Sequence, residues 1–375
     1  MTGGHKYIRW EREEYCELVP SPAPPHGCDV SPLFVASFRR RPRQSLPPQA
    51  STEKGEGIIP TDSAGDTSQR RDKAPAHCVP GTHTKTLGQL LGRLAKKEIA
   101  VQDEDAESVL LESLGYTHVV RYVPAHVSIV RAPKFSTLYR DVILDHAFQG
   151  VLLTRIIQFE RSFKSHLANS LADEFGEFAQ MEQAIFKDVN AWKQFVDGSR
   201  SEIIQKARRG SRYAARIASQ GKSVPIWSSL EFSSLGVVSK FFSNLAACDA
   251  KKKIATHYGL DTSFIESWLF SLSFVRNECA HGGVLYGREL EIQPRAHRLF
   301  PQVSNRRAFY QVLMLSWLLE RDVAHLGQQI VDDFAPTLTV ASLRKGVGAP
   351  DDWEAAAKTV SKLAKDTTEG TLRPC

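Results

Sequence analysis

The sequence lacks the cysteine patterns of disulfide frameworks and of cysteine-rich zinc sites. Its six cysteines include no Cys-x-x-Cys pair and follow no regular spacing, which is typical of a protein in a reducing compartment. The N-terminal segment lacks the apolar stretch of a signal peptide, and no run approaches the roughly 18 apolar residues of a membrane span. We therefore expect a cytoplasmic protein with no membrane association.

Strand-like alternation of apolar and polar residues is almost absent between residues 135 and 334. Apolar residues recur instead at steps of three and four, the period of an α-helix with one buried face. This indicates an all-α fold, a helical bundle with additional helices. The segments predicted as helices are 86–99, 103–116, 137–175, 178–196, 229–246, 250–259, 261–281 and 304–334, with 199–222 as a basic helix or linker.

Local composition adds two structural expectations. Residues 113–130 mix aromatic and β-branched residues without a clear period, and we expect Pro124 to end the element that contains residues 119–123. The second expectation concerns four tryptophans that we place in the core: Trp227, Trp268, Trp317 and Trp353.

Residues 1–85 differ from the rest of the chain. They hold 11 of the 19 prolines and a Ser-, Thr-, Gly- and Asp-rich stretch without apolar periodicity. Such a segment cannot bury enough apolar area to offset its loss of chain entropy, so we predict a disordered Pro-rich extension, or a translation start placed too early. The remainder is divided into a helical domain at 86–334 and a C-terminal extension at 335–375.

The stretch SFVRNECAHGG, residues 273–283, ends an apolar helix with polar side chains and two glycines. At about 100° per residue, Asn277 and His281 share one face of the helix and Arg276 lies beside them. Gly282 and Gly283 predict a helix C-cap, which places His281 where unpaired carbonyls favour the protonated imidazole. A guanidinium, an amide and an imidazole on one helix end suit phosphate binding and proton transfer.

The spacing of Arg276 and His281 is not specific by itself. Chance supplies roughly two or three such matches in a chain of this composition. Two interpretations therefore stay open on the residues alone: a catalytic site, or a helix end where Arg276 pairs with Glu231 or Glu266 and His281 caps carbonyls. Four similar pairs occur elsewhere: Arg71 with His77, Arg121 with His126, Arg140 with His146, and Arg161 with His166.

The wider sequence favours the catalytic interpretation. Residues 268–290, WLFSLSFVRNECAHGGVLYGREL, resemble the signature of the Abi-like family of abortive-infection proteins (AbiD and AbiF type) within the HEPN superfamily. Arg276, Asn277, His281 and Arg288 match that signature. Gly282, Val284 and Gly287 stand where the family often has further polar residues. Other segments resemble the family in the same order: the helix pair at 90–116, the long helix with Asp145 and Glu160, Pro-Ile-Trp at 225–227 and GAPDDW at 348–353.

The resemblance implies a HEPN-type endoribonuclease that needs no metal or other cofactor. Arg276 would then stabilise the phosphorane, His281 would act as general acid or base, and Asn277 would position the phosphate or His281. The products would be a 2',3'-cyclic phosphate and a 5'-OH. HEPN proteins commonly form dimers in which two motifs face each other. Because Arg276 and His281 lie about 140° apart around their helix, we expect a homodimer with a composite site.

A second group of residues is a candidate for RNA binding. The formal net charge of +6 suits contact with phosphates without requiring it. A basic run with one interleaved aromatic residue could hold the RNA backbone and stack a base, although such runs are also common on solvated helix faces. The candidates are Lys206, Arg208, Arg209, Arg212 and Tyr213, together with Arg288 near the motif.

Three residues near the motif receive structural explanations. Cys279 lies on the apolar stripe and is expected to be a small core residue rather than a nucleophile. A metal site made of His257, Cys279 and His281 would have no supporting carboxylate, so no metal is expected. Glu160 could orient the active-site arginine, and we favour a structural pairing with it.

Two functional hypotheses follow. The first is a toxin-like defence enzyme that cuts host or phage RNA. The second is a HEPN scaffold that binds a small non-coding RNA or a partner protein without cutting. A purely structural helical protein, in which the motif only caps a helix, is the third alternative.

Overall fold

The computed structural model describes residues 86–221, 224–301, 303–323 and 325–368. The disordered extension predicted for residues 1–85 lies outside these ranges. The described residues form α-helices and two short 3-10 turns, with two isolated β-bridges and no strand, so the all-α prediction is confirmed. The helices are α1 (Leu87–Ala95), α2 (Glu104–Leu114), α3 (Tyr116–Val119), α4 (Val123–Ile129), α5 (Phe135–Phe175), α6 (Val189–Arg208), α7 (Arg212–Ser219), α8 (Ile226–Phe232), α9 (Leu235–Asn244), α10 (Asp249–Tyr258), α11 (Thr262–Ala280), α12 (Phe309–Asp322), α13 (Leu326–Leu338), α14 (Ala341–Val347) and α15 (Trp353–Thr368).

Side-chain caps begin the first two helices of the fold. The Thr86 hydroxyl accepts a hydrogen bond from the Gln89 N–H, and the Gln89 side chain accepts one from the Thr86 N–H, which forms a capping box. Asp103 Oδ1 accepts from the Ala106 N–H at 3.1 Å, and α2 ends at Gly115, whose φ is +78°. The prediction of two short N-terminal helices is therefore confirmed.

Three predicted helices have different boundaries in the structure. Residues 179–185 form two 3-10 turns, and α6 begins only after Asp188, whose carboxylate accepts from two backbone N–H groups. The single helix predicted for 229–246 is interrupted where Ser234 caps α9. The run at 304–334 is broken before α13, where the buried Glu320 accepts from the backbone N–H groups of His325 and Gly327. In each case a polar side chain caps a new helix inside a continuous apolar pattern.

Pro124 and Trp227 also differ from expectation. Pro124 lies in the first turn of α4 and begins that helix rather than ending one, because proline needs no backbone N–H there. Trp227 lies on the short helix α8 with 44% of its surface exposed, so its expected place in the core was wrong. The other three tryptophans named above are buried, as predicted.

Two long helices organise the core. The 41-residue α5 packs against α8, α10, α11, α12 and α13, and every residue of α12 from Phe309 to Glu320 is buried. A smaller apolar cluster joins α6 to α7 through Ile203, Ala214 and Ile217. The C-terminal helices α14 and α15 pack on the same core. None of the helices in the described ranges has the length and low polarity that crossing a bilayer requires.

A buried polar network ties four parts of the chain together. Asp141 on α5 accepts from His126 Nδ1 (2.8 Å), from the Tyr286 hydroxyl (3.1 Å) and from the Ser342 hydroxyl (2.6 Å). The other ring nitrogen of His126 lies 3.1 Å from Thr137 Oγ1. These bonds connect α4, α5, the segment after α11 and α14, and they leave neither Asp141 oxygen without a partner.

Candidate active site at the C-terminal end of alpha 11

The end of α11 is shaped by two glycines. Gly282 has a φ of +67°, a left-handed conformation that favours glycine. The Gly283 N–H donates to the Glu278 carbonyl at 2.7 Å, the long hydrogen bond of a Schellman motif. A Cβ on Gly283 would lie 2.8 Å from that same carbonyl oxygen. The predicted glycine stop is therefore present, with His281 as the C-cap residue.

The three motif side chains remain at the surface of this helix end. Asn277 and His281 are exposed, and Arg276 is half-buried. Arg276 donates from Nη1 to Asn277 Oδ1 at 3.3 Å, while its buried Nε has no hydrogen-bond partner among the described residues. Within the same ranges, no carboxylate forms an ion pair with Arg276 or His281, in contrast to many other cationic side chains of the protein.

The structural alternative for Arg276 required a carboxylate partner, and none of the candidate carboxylates pairs with Arg276 in the described part of the chain. Glu266 forms an ion pair with Lys251 at 2.6 Å. Glu231 is exposed and forms no ion pair with a described residue. Glu160 pairs with Lys164 at 2.6 Å, and Lys164 also donates to the Ser233 carbonyl. The expected pairing of Glu160 with the motif arginine was therefore wrong, because a lysine one turn away on the same helix takes the carboxylate.

The chain that follows α11 is held by Asp145 on α5. Asp145 Oδ2 accepts hydrogen bonds from the Leu285 N–H (3.2 Å), the Tyr122 hydroxyl (2.9 Å) and Gln149 Nε2 (2.7 Å). Gln149 Nε2 also donates to the Gly283 carbonyl at 3.1 Å. Burial raises the pKa of Asp145, and these hydrogen bonds partly oppose that effect. The buried carboxylate thus positions the helix end from below.

Arg121 is an additional cation at this helix end. It lies between α3 and α4, and its Nη1 donates to the Gly282 carbonyl at 3.2 Å, where the negative end of the α11 dipole favours a cation. Nearby, His118 and His146 bring their Nε2 atoms within 2.7 Å. Burial lowers the pKa of both histidines. Arg121 belongs to a sequence pair that looked accidental, and only the tertiary structure brings it to the Gly282 carbonyl.

The structure supports neither a nucleophilic Cys279 nor a metal site that joins Cys279 to His257. Burial raises the pKa of Cys279 to about 12, so its thiol stays protonated near neutral pH and is a poor nucleophile. His257 precedes the N-terminus of α11, and about 28 Å of helix separates it from His281. The structure therefore does not bring His257 together with Cys279 and His281.

The predicted RNA-binding residues fall into two environments. Arg288 is engaged by two carboxylates, Glu278 and Glu291. The α6–α7 hairpin exposes its basic side chains at and beyond the turn at Gly210, including Arg208, Arg209 and Arg212. Lys206 is exposed as well, 3.8 Å from Glu202.

Tyr213 on the same hairpin is only partly available for stacking. It is 42% exposed, its ring centroid lies 5.5 Å from that of Phe232 in a stacked arrangement, and Arg216 Cζ lies 5.5 Å from the same centroid. Base stacking on Tyr213 would compete with these contacts.

An apolar side chain accompanies the motif on the exposed face of α11. Phe270 is 48% exposed and precedes Asn277 by seven residues, which places the two side chains about 20° apart around the helix. The neighbouring helix α9 contributes Val237, which is 38% exposed. Exposed apolar groups beside an unpaired polar motif are typical of a surface that binds another macromolecule.

Comparison with known proteins identifies one family. A family model described as "Abi-like protein" matches residues 95–287. The matched segment, 193 of the 375 residues, runs from the last residue of α1 through α11 to Gly287 and contains Arg276, Asn277 and His281. Comparisons with curated proteins and with solved structures give no match.

Proposed function

The chain belongs to the Abi-like protein family, a membership that supports a role in abortive-infection defence, and we propose that it fills this role as an endoribonuclease. The main support for the proposal is that the motif cations lack carboxylate partners. Arg276 and His281 lie at one helix end without a carboxylate partner among the described residues. A cation left unpaired in this way is available for a phosphate.

The proposed reaction is an internal displacement in the RNA strand. The 2'-OH gives up its proton to a base while its oxygen forms a bond to the adjacent phosphorus, the bond from phosphorus to the 5'-oxygen breaks, and the 5'-oxygen takes up a proton. His281 transfers protons as general acid or base, and Arg276 stabilises the charge that develops on the phosphorane. Asn277, which already accepts from Arg276, positions the phosphate or His281. The products are a 2',3'-cyclic phosphate and a 5'-OH, and no metal is required.

A homodimer completes the site in this proposal. Arg276 and His281 point about 140° apart around α11, so one copy does not direct both side chains at one phosphate. Two copies that meet through the exposed face of α11 can contribute Arg276 from one chain and His281 from the other. Phe270 and Val237 supply exposed apolar area for that contact.

The direct test is RNA cleavage by purified protein in EDTA. Wild type should produce fragments with 2',3'-cyclic phosphate and 5'-OH ends, and Arg276→Ala and His281→Ala should lose this activity while they fold and dimerise normally. Arg131→Ala, which removes an exposed arginine outside the site, is the matched control and should cleave like wild type. Wild-type rates in both motif variants would exclude the proposed chemistry.

The exposed basic hairpin supports a second candidate function, RNA binding without cleavage. Arg208, Arg209 and Arg212 can hold an RNA backbone whether or not the α11 end is catalytic. In that case purified protein should carry an RNA of defined size, and His281→Ala should retain the same RNA uncut. Sequencing of the RNA that copurifies with wild type and with His281→Ala separates the two functions, because a nuclease changes the ends of the RNA it holds.

A further inference from the structure

Three helices bring two histidines and one aspartate together far from the end of α11. His166 lies on α5, His257 on α10 and Asp322 at the end of α12. Asp322 Oδ1 is 3.1 Å from His257 Nε2 and 3.5 Å from His166 Nε2. The two imidazole centroids are 4.1 Å apart, and one ligand atom of each residue lies within 4.8 Å of the others. The residues are 91 and 65 positions apart along the chain, so only the tertiary fold creates this cluster.

The distances fit a tetrahedral metal ion. Zinc binds imidazole nitrogen and carboxylate oxygen at about 2.0–2.2 Å, so neighbouring ligand atoms on a zinc tetrahedron lie about 3.3–3.5 Å apart. The two separations from Asp322 Oδ1 are close to that edge length. A small adjustment of the imidazole rings would bring all three atoms to the corners of one tetrahedron, with each Nε2 lone pair directed to the ion and the proton on Nδ1.

Burial also favours an ion in this cluster. The Asp322 side chain is only 2% exposed, whereas those of His166 and His257 are 38% and 29% exposed. Asp322 Oδ2 is buried and lacks a hydrogen bond of good geometry among the described residues, with the Tyr258 and Ser162 hydroxyls as the neighbouring donors of this carboxylate. A cation at the cluster would stabilise the buried carboxylate more than these two hydroxyls do. The exposed edges of the histidines leave one side open for a water molecule as fourth ligand.

Two lysines and one arginine lie near the cluster. Lys252 and Lys253, on the surface of α10 beside His257, lie 3.0 Å from Asp249 and 3.7 Å from Asp173, respectively. Each lysine is therefore balanced by a carboxylate. Arg321 is a third neighbouring cation, and it donates to the backbone carbonyls of His257 and Thr256. Two imidazoles with one carboxylate suit zinc better than magnesium or calcium, which prefer oxygen ligands.

We propose that His166, His257 and Asp322 bind one Zn²⁺ ion, with water in the fourth position, and that the ion fastens α5, α10 and α12 to each other. The three ligands do not include any residue of the α11 end, so the site is compatible with cleavage that needs no metal. His166 and His257 lie inside the segment matched by the family model and Asp322 lies beyond it. The ion therefore joins the matched segment to α12.

The test is zinc binding by untagged full-length protein after EDTA treatment and removal of the chelator. ZnCl₂ alone should bind tightly at one ion per chain and raise Tm by roughly 5 °C at an ion concentration about 100 times Kd. Co²⁺ in place of Zn²⁺ should give the visible absorption bands of a tetrahedral site. Absence of a Tm rise in wild type would overturn the proposal.

Variants locate the ion. His166→Ala and Asp322→Asn should weaken zinc binding by more than the roughly 10- to 100-fold typical of losses outside the ligand set and abolish the Tm rise. His146→Ala, which removes a histidine outside the cluster, 20 residues earlier on the same helix, is the matched control and should keep the full rise. His166 is exposed enough for its alanine variant to fold, which circular dichroism and gel filtration verify. A full Tm rise in folded His166→Ala would place the ion elsewhere and overturn the assignment.

Discussion

Two polar regions lie at the end of α11, one buried beneath the helix end and one at its surface. Their side chains differ in the partners that they have. Beneath the helix end, Asp141 and Asp145 are buried and accept three hydrogen bonds each from side chains and backbone. At the surface, Arg276 and His281 have no carboxylate partner in the described part of the chain. The same short stretch of structure thus contains carboxylates that several donors engage and, at the surface, an arginine and a histidine without a carboxylate.

This difference distinguishes polar groups that stabilise the fold from polar groups that are available to a ligand. Buried donors and acceptors must be paired because an unpaired one costs about 1–3 kcal/mol. The exposed His281 carries no such requirement, whereas Arg276 keeps a buried Nε without a partner among the described residues. A helix end needs neither side chain for stability when glycines already form the cap. We infer that the buried network of Asp141 and Asp145 positions the helix end, and that Arg276 and His281 at the surface act on a ligand.

The largest expected effect is on catalysis. Arg276→Ala and His281→Ala should each reduce RNA cleavage by about 10²- to 10⁴-fold, because each removes a group that acts only on the phosphorane or on the moving proton. Their free energies of unfolding should stay within about 0.5 kcal/mol of wild type. Single-turnover cleavage and urea denaturation measure the two quantities. A loss of several kcal/mol in the free energy of unfolding of either variant would show that the motif stabilises the fold instead.

For the buried network around Asp145, we expect the main effect to be on the free energy of unfolding. Asp145→Ala leaves the Tyr122 hydroxyl, Gln149 and the Leu285 N–H without their acceptor, and we expect a loss of about 3 kcal/mol in the free energy of unfolding. Asp145→Asn keeps one acceptor oxygen and should lose less. Urea denaturation of both variants provides the comparison. Equal stability of Asp145→Ala and wild type would show that the network does not support the helix end.

His297 is a buried polar group that is only half satisfied. Its Nδ1 accepts from the Leu299 N–H, its Nε2 has no hydrogen-bond partner among the described residues, and burial among aromatic rings lowers its pKa to about 4. The folded protein therefore keeps this imidazole neutral, whereas the unfolded chain takes up a proton below pH 6.5. Stability contributed by this group should fall as pH decreases from 6.5 to 4, by about 2 kcal/mol at pH 5.

Urea denaturation at pH 7.5 and pH 5 measures this loss. His297→Gln removes the titrating group and should reduce the difference between the two pH values. The burial of His118 and His146 lowers their pKa values as well, so some decline in the same direction should remain. An unchanged difference in His297→Gln would contradict the assignment to His297.

The smallest expected effect concerns the α6–α7 hairpin. Replacement of Arg208, Arg209 and Arg212 by alanine should weaken RNA binding mainly at low salt and reduce the slope of log K against log salt by about 2, since each phosphate contact on a single strand contributes about 0.7. Three exposed lysines on α15 provide a matched control with the same charge change, and their replacement should leave the slope unchanged: Lys358, Lys362 and Lys365.

Local sequence predicted the helix end well but not its surroundings. The apolar stripe, the motif and Gly282 with Gly283 are contiguous, so periodicity and capping chemistry were enough to place Arg276 and His281. Asp145 and Gln149, which hold the segment after α11, are more than 130 residues away in sequence, and Arg121 is 161 residues from Gly282. No local pattern predicts such contacts, and none predicts the cluster of His166, His257 and Asp322.

Helix boundaries failed for a related reason. Apolar periodicity continues through Ser233 and Ser234 and through residues 323–325, so it predicts longer helices than the structure contains. The breaks depend on single capping groups, the Ser234 hydroxyl and the Glu320 carboxylate, and Glu320 acts only after α12 is buried. Pro124 was misplaced because proline is compatible with the first turn of a helix as well as with the end of one.

The most direct test of the composite site is complementation between two inactive variants. Arg276→Ala and His281→Ala chains with different affinity tags are coexpressed, and the mixed dimer is isolated by two successive affinity steps. The mixed dimer retains one Arg276 and one His281 on opposite chains, and it should cleave RNA at least about tenfold faster than either variant homodimer. A mixed dimer that forms but cleaves no faster than the homodimers would contradict a site shared between two α11 ends.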